Sequence, residues 1–546
     1  MKTDSQLARA ALTRPSTIAW ALVALAGAAF IAWLLPVAML DPRSIEWVLE
    51  GNDQTTAWLG WQYFRREAWL WPPGLVAGYG MEMGSSIVFT DSIPFVALAL
   101  KPFDAWLPPS FQYFGLWAVA CGALAAAFAY RALHEATRHQ AAALAGALFA
   151  ASSVFMTARF IGHFALAGHW LIWWALSIYF SDESRRNWLE RAACLIIAAG
   201  VHAYLFVLVS AVVAADVARR WMQSREPVRS QIVGWAVSVA GLTAAAFWVY
   251  GYFVLESVRG DPRIYGTYGL PLNALAWRSN PSLEGGAYIG AGALAAVAIT
   301  MALSAWYWRD TMRVLRSHVF LLIATVGVTA VAITHRIYWG DALVAEIPLP
   351  STLLARLAVF RGSGRFGWLL AYLAMFISLA TIAARLPRRA SCVLIALLAL
   401  LQLADVAPHY GRLRQHFEAS VSSPQTYKRL ADARWPQLVA GHSMVLVAPM
   451  EHAAPYWREL GLLASAQGKP INVGQFARAH WPSFAPAYDR ILMELREGSL
   501  REDALYVITR PERVVLSDRL SRSCSLMLDG LQVIAVSLCR DAAAAR

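Results

Sequence analysis

Ten long apolar runs, each near the length that crosses a bilayer, constrain this chain more than any other feature. They cover residues 17–40, 110–131, 140–158, 164–181, 192–218, 231–255, 288–308, 319–335, 367–385 and 391–408. A spanning helix needs roughly 20 apolar residues, because lipid offers no partner to a bare backbone N–H or C=O. Ten such runs specify an α-helical polytopic membrane protein with about 10–12 transmembrane or half-membrane helices. Only 15% of the 546 residues are charged, against about 25% in a soluble domain. A soluble enzyme and a disordered chain are both excluded.

A net charge of +12 raises the question of nucleic acid, and its distribution answers it. The basic residues fall in short Arg clusters between apolar runs: Arg185/Arg186, Arg219/Arg220, Arg309/Arg313/Arg316 and Arg385/Arg388/Arg389. That is the pattern of cytoplasmic loops under the positive-inside rule, and no nucleic-acid partner is expected. The 24 Trp residues suit membrane interfaces, where one edge of the ring is apolar and the other wet. Lys2, Arg9 and Arg14 precede the first run, which reads as an uncleaved first span with a cytoplasmic N-terminus. The expected location is a bacterial inner (cytoplasmic) membrane.

Charge also decides how an eleventh stretch, Ser86 to Leu107, is used. It contains Asp91, Pro94, Lys101 and Pro102. If it spanned, Arg185, Arg186 and Arg191 would fall outside, against the charge rule. If it stays on the outer side, 192–218 begins and ends inside and becomes a hairpin of two half-helices turning near Gly200 to Tyr204. The second arrangement is preferred. The outer face then receives 41–109, 159–163, 256–287 and 336–366. In the first of these, Trp61, Phe64, Ala68 and Trp71 recur at helical spacing opposite Arg65, Arg66 and Glu67, as in an amphipathic interfacial helix. A second such helix is expected between Pro350 and Phe360.

Composition shifts near residue 409. Residues 1–408 are expected to form the transmembrane domain, with 41–109 as its first outer loop. Residues 409–546 are expected to form a small, soluble α/β domain on the periplasmic face. Its strands would be Met444–Ala448, Leu505–Thr509, Arg513–Leu516 and Leu531–Ser537, with helices in Ser422–Ala433 and Ala453–Ala466. Cys524 and Cys539 lie in this region and could pair if it is periplasmic. Cys121, Cys194 and Cys392 read as small core hydrophobes.

Ionisable residues at outer helix ends are the site candidates, since charge near membrane depth needs a partner or a role. Asp53, in Gly51-Asn-Asp-Gln54, reads as a helix N-cap, as a general base, or as both. Asp91, in Phe89-Thr-Asp-Ser-Ile-Pro94, has the same two readings. Arg361-Gly-Ser-Gly-Arg365 offers two guanidinium groups around an N–H-rich turn, suited to phosphate or to plain interfacial anchoring. His163, His169, His202 and Tyr204 lie near outer helix ends or the hairpin turn, where a satisfied core role competes with a site role. Tyr265, Tyr268, Trp277, Glu284 and Tyr288 would suit sugar rings or an interfacial belt. No Cys or His spacing indicates a metal site.

Together these features resemble the GT-C superfamily of integral-membrane glycosyltransferases. More narrowly, they resemble a bacterial GT-C-like family of uncharacterised activity. The resemblance rests on Gly51-Asn-Asp-Gln54, Gly60-Trp-Gln-Tyr-Phe-Arg65, Phe89-Thr-Asp-Ser-Ile-Pro94, Phe111-Gln-Tyr-Phe-Gly115, His202-Ala-Tyr204 and Arg361-Gly-Ser-Gly-Arg-Phe366, and it covers most of residues 17–408. It implies an inverting transferase using a polyprenyl-phosphate-linked sugar donor and a glycan, lipid or protein acceptor. Asp53 would be the base, with Arg361 and Arg365 on the departing lipid phosphate. Gln54 stands where a second acid follows in better-known members, so a paired acid would come from Asp91 or Glu46. No cofactor is required for such a displacement, and a divalent metal stays open. The alternative is a lipid-linked glycan flippase, for which midplane charges and internal repeats would be expected. Neither is visible.

Overall fold

All ten apolar runs are helical, yet they differ in whether they are long enough to cross a membrane. The computed structural model describes residues 17–49, 52–81, 84–181, 184–254, 261–278, 286–422, 429–450, 456–477 and 485–539. Among these, six helices are long and apolar enough to span: Thr17–Leu34, Phe114–Thr137, Gln140–Phe160, Val228–Tyr250, Ser363–Arg385 and Arg388–Ser422. The shorter apolar helices are Phe164–Phe180, Val319–Ile333 and Ser351–Phe360. This is a helical polytopic membrane protein with a small C-terminal sheet. The chain divides into two compact units, residues 1–44, 113–244 and 260–422, and residues 45–112, 245–259 and 423–546.

Small residues build the helix packing of the first unit. Lipid removes the hydrophobic drive between spans, so close backbone approach and dispersion must hold them. A Cβ on Gly27 would lie 2.5 Å from the Gly122 carbonyl oxygen, so Thr17–Leu34 and Phe114–Thr137 meet backbone to backbone. Ala118, Ala125 and Ala126 extend that contact as buried residues of the second helix.

The run 192–218 is broken at His202 into helices Ser184–Val201 and Ala203–Gln223. The His202 ring Nδ1 accepts the Tyr204 N–H at 3.2 Å and caps the second helix. Arg191 on the first helix pairs with Asp216 on the second, both side chains almost fully buried. Residues 25 apart therefore meet, and the two helices run back along each other. At 18 and 21 residues they are each about 27–32 Å long at 1.5 Å per residue, longer than the half-helices expected. Elsewhere, Ala291–Trp306 turns through 107° into Trp308–Ser317.

The expected division at 408/409 falls inside Arg388–Ser422, a helix of 35 residues that continues through Pro408. In the second unit, Asn52–Arg66 differs from the amphipathic expectation. Residues 54–65 are all buried, because Arg65 pairs with Asp104 and donates to the Pro108 carbonyl at 3.0 Å. Its charge is thus neutralised inside protein instead of facing water. The stretch 86–107 holds only the short helix Pro94–Leu100 and a 3-10 turn at Lys101–Trp106.

The C-terminal sheet has four strands in the order Met444–Ala448, Ala504–Ile508, Leu531–Ile534, Ser525–Leu528, with the first pair parallel and the others antiparallel. Arg513–Leu516 is not a strand. Pro511 opens a 3-10 turn there, and Val515 is exposed. The fourth strand is Ser525–Leu528 instead, turned onto its neighbour by Asp529-Gly530, both at positive φ. Helix Trp457–Ala466 lies within the expected Ala453–Ala466. Of the expected helix Ser422–Ala433, residues 423–428 lie outside the described residues, Ser422 ends the preceding helix, and 429–433 are not helical. Cys524 and Cys539 form a disulfide. Ile471, an extended residue of the tail, pairs with both Val445 and Tyr79, so the tail and the first outer segment share backbone hydrogen bonds.

Candidate functional site

Two clusters collect the candidates, one in each compact unit. In the second unit, Asp53 sits half-buried in the first turn of Asn52–Arg66. A carboxylate there faces the free N–H groups and the positive end of the helix dipole, which favours its charge. Its Oδ1 accepts from Gln475 Nε2 at 3.3 Å. Gln475 is held in turn, its backbone N–H donating to the Tyr79 hydroxyl at 3.4 Å. Tyr79 stacks on Tyr63, with centroids 5.2 Å apart, and packs on Phe476 at 5.0 Å.

Asp91 occupies a strained turn in the same unit. Its φ is +55°, which Asp tolerates, but Ile93 has φ +51°, where a β-branched residue is an outlier. Between them Ser92 is fully buried and donates to the Ala57 carbonyl at 2.6 Å, and its Oγ lies 2.8 Å from Thr90 Oγ1. Gly60 is required where the helix meets this turn, since a Cβ there would be 2.2 Å from Thr90 Oγ1. Burial, and secondarily the Asp91 charge, push the Tyr252 phenol up, so it stays protonated.

The first unit gathers His202, Tyr204, Arg361 and Arg365. The buried Tyr204 hydroxyl accepts the Gly362 N–H at 2.9 Å, tying the hairpin to the Arg361–Arg365 turn. Arg365 is buried with its guanidinium carbon 4.9 Å from the Tyr204 ring centroid. Arg361 is exposed and lies 5.6 Å from the Tyr268 ring, whose backbone carbonyl accepts the Gly364 N–H at 2.9 Å. Ser363 Oγ is buried with no hydrogen-bond partner among the described residues. Two guanidinium groups on a Gly-rich turn form a surface suited to phosphate oxygens.

His163 is half-buried at the start of the 3-10 turn Phe164–Ala167. His169 is fully buried, its Nδ1 2.7 Å from the Tyr372 hydroxyl and its ring 4.2 Å from Trp368. Glu284 lies outside the described residues. Tyr265 stacks on His335, and Tyr288 donates to Asp405 at 2.7 Å. Sequence reasoning missed Gln475, Tyr252 and Ser363. Among the described residues no group of three His, Cys, Asp or Glu side chains is placed to hold a metal ion.

Comparison with known families gives a direct match. A domain of unknown function, DUF6311, matches residues 24–407, and the DUF6311 C-terminal domain matches residues 434–536. The chain belongs to the DUF6311 family. Asp53, Asp91 and the Arg361–Arg365 turn fall in the first DUF6311 segment, and Gln475 in the second. No curated protein sequence matches the chain. Two solved structures are similar in part. One is the archaeal oligosaccharyltransferase AglB from Archaeoglobus fulgidus, in complex with an inhibitory peptide and a dolichol-phosphate. It is 12% identical with a TM-score of 0.43, over 90% of this chain and 69% of that one. The other is the Archaeoglobus fulgidus oligosaccharyltransferase in complex with Zn and sulfate. It is 13% identical with a TM-score of 0.37, over 89% and 67%. Neither structure lends a residue role to this DUF6311 chain.

Proposed function

We propose that this chain is a membrane glycosyltransferase of the bacterial inner membrane. It moves a sugar from a polyprenyl-phosphate-linked donor to an acceptor hydroxyl on the periplasmic side, with inversion. The observation that carries the reading is the setting of Asp53, a half-buried carboxylate in a helix first turn that accepts a hydrogen bond from Gln475. On this reading the acceptor hydroxyl gives its proton to Asp53 as its oxygen attacks the anomeric carbon. The bond from that carbon to the phosphate oxygen breaks, and the lipid phosphate leaves with the bonding electrons. Arg361 and Arg365 neutralise that phosphate, with Tyr204 and His202 fixing the turn and the helix end that present them. Asp91 is the second acid. The Cys524–Cys539 disulfide supports a tail that faces an oxidising compartment.

The test is turnover by the full chain in liposomes carrying a panel of polyprenyl-phosphate sugars and glycan, lipid and peptide acceptors. Release of polyprenyl phosphate with a product of opposite anomeric configuration is expected. Movement of an intact lipid-linked sugar between leaflets, with no bond broken, would establish the flippase instead.

A further inference from the structure

The first unit holds a cavity of about 870 Å³ that is lined by residues outside the Arg361–Arg365 turn. It is lined by Arg219, Arg220, Arg385 and His318 together with Leu315, Leu373, Phe376 and Ile377. The three arginines come from the Arg-rich segments that the positive-inside rule places on the cytoplasmic face.

Among the described residues, the guanidinium groups at this cavity outnumber the carboxylates that pair with them. Asp216 pairs with Arg191, with Arg219 at 2.7 Å and with Arg220 at 3.1 Å, so three guanidinium groups share one carboxylate. Asp310 likewise serves both Arg385, at 2.9 Å, and Arg313, at 3.0 Å. Glu135, the lining acid, is paired with Arg138 at 3.0 Å. Among the described residues, these six guanidinium groups face three carboxylates. Arg219 donates to the Tyr179 carbonyl and to Asp216, each at 2.7 Å, while its Nε is buried with no hydrogen-bond partner among the described residues. A buried donor without an acceptor is destabilising, and a bound anion would supply the missing acceptor.

Depth and lining fix what kind of anion. Trp306, Tyr307 and Trp308 are all exposed at the 107° bend, and Trp308–Ser317 carries Arg309, Arg313 and Arg316 beside the apolar Met312, Val314 and Leu315. Aromatic residues at a bend into a basic, amphipathic helix mark the headgroup level of a leaflet. Val314 and Leu315 of that helix line the cavity. Guanidinium groups and apolar side chains lining one cavity at this depth match a lipid with a negatively charged phosphate headgroup, and the apolar lining has no counterpart in a free phosphate ion.

We infer that this cavity binds an anionic phospholipid of the cytoplasmic leaflet, its phosphate on Arg219, Arg220 and Arg385 and its chains along Leu373, Phe376 and Ile377. The site is independent of sugar transfer. The test uses the detergent-purified full chain with phosphatidylglycerol, phosphatidylcholine or inorganic phosphate, read by native mass spectrometry and thermal midpoint. Phosphatidylglycerol is expected to be retained and to raise the midpoint, with phosphatidylcholine and phosphate doing neither. Arg219→Gln should weaken retention roughly tenfold or more, the loss of one charge-assisted hydrogen bond. Ala380→Trp, which fills the cavity and touches no ion pair, should abolish retention while the protein stays folded. Equal retention of phosphatidylcholine, an equal midpoint rise with phosphate alone, or full retention in Ala380→Trp would overturn the proposal.

Discussion

Asp53 and Glu67 open and close the same stretch of the second unit and illustrate opposite environments for a carboxylate. Asp53 has a helix N-terminus and a Gln475 amide. Glu67 accepts the N–H groups of Ala77 at 2.9 Å and Gly78 at 2.6 Å, but burial outweighs these bonds and raises its carboxyl above the usual range. The folded state therefore binds this proton more tightly than the unfolded chain. Its contribution is most favourable below about 4.5 and is lost as pH rises through the raised value. The thermal midpoint of the wild type should fall over that rise, and Glu67→Gln should flatten it. An unchanged slope in the variant would mean that Glu67 is not the titrating group. Asp53, Arg361 and Arg365 stand out in the sequence as candidates because a charge at the edge of an apolar run is conspicuous. Gln475 does not, since it reaches Asp53 across 422 residues from an extended segment with no periodic signature.

At the scale of elements, the helix Asn52–Arg66 was legible in position and misread in exposure. Its spacing of Trp61 and Phe64 is helical, but Arg65 is buried against Asp104 and Pro108, while the exposed Arg66 donates to the Pro109 carbonyl. Only the tertiary fold supplies those acceptors. The hairpin at His202 was read from loop charge, and the Arg191–Asp216 pair shows the two helices folded back. Strand Ser525–Leu528 was missed although Asp529-Gly530 is a hairpin signal. Packing gives a test at this scale. Gly60→Val places atoms where Thr90 lies and should cost about 1–3 kcal/mol, as overpacking does, seen as a lower thermal midpoint. It should also disturb the Asp91 turn. A midpoint equal to wild type would refute the close approach.

For the whole molecule, hydropathy specified the membrane class and charge placement a topology, while the association of the tail with the first outer segment left no mark in composition. That association consists of main-chain bonds, such as the Ile471 N–H to the Gly78 carbonyl at 2.8 Å and the Ala477 N–H to the Phe89 carbonyl at 2.7 Å. Backbone pairing of this kind is nearly blind to side-chain identity. In the proposed topology the start of helix Ser184–Val201 is cytoplasmic. Arg185→Cys in intact spheroplasts should therefore resist a membrane-impermeant thiol reagent and react after lysis. Labelling before lysis would reverse the hairpin.

The central claim is that Asp53 removes the acceptor proton. Its most direct measurement compares wild type and Asp53→Asn in the same liposomes, following kcat and donor KM. General-base catalysis contributes about 10²–10⁴-fold. The variant should lose kcat by that order with donor KM little changed, since the phosphate contacts are assigned to Arg361 and Arg365. Turnover by Asp53→Asn at the wild-type kcat would contradict the account.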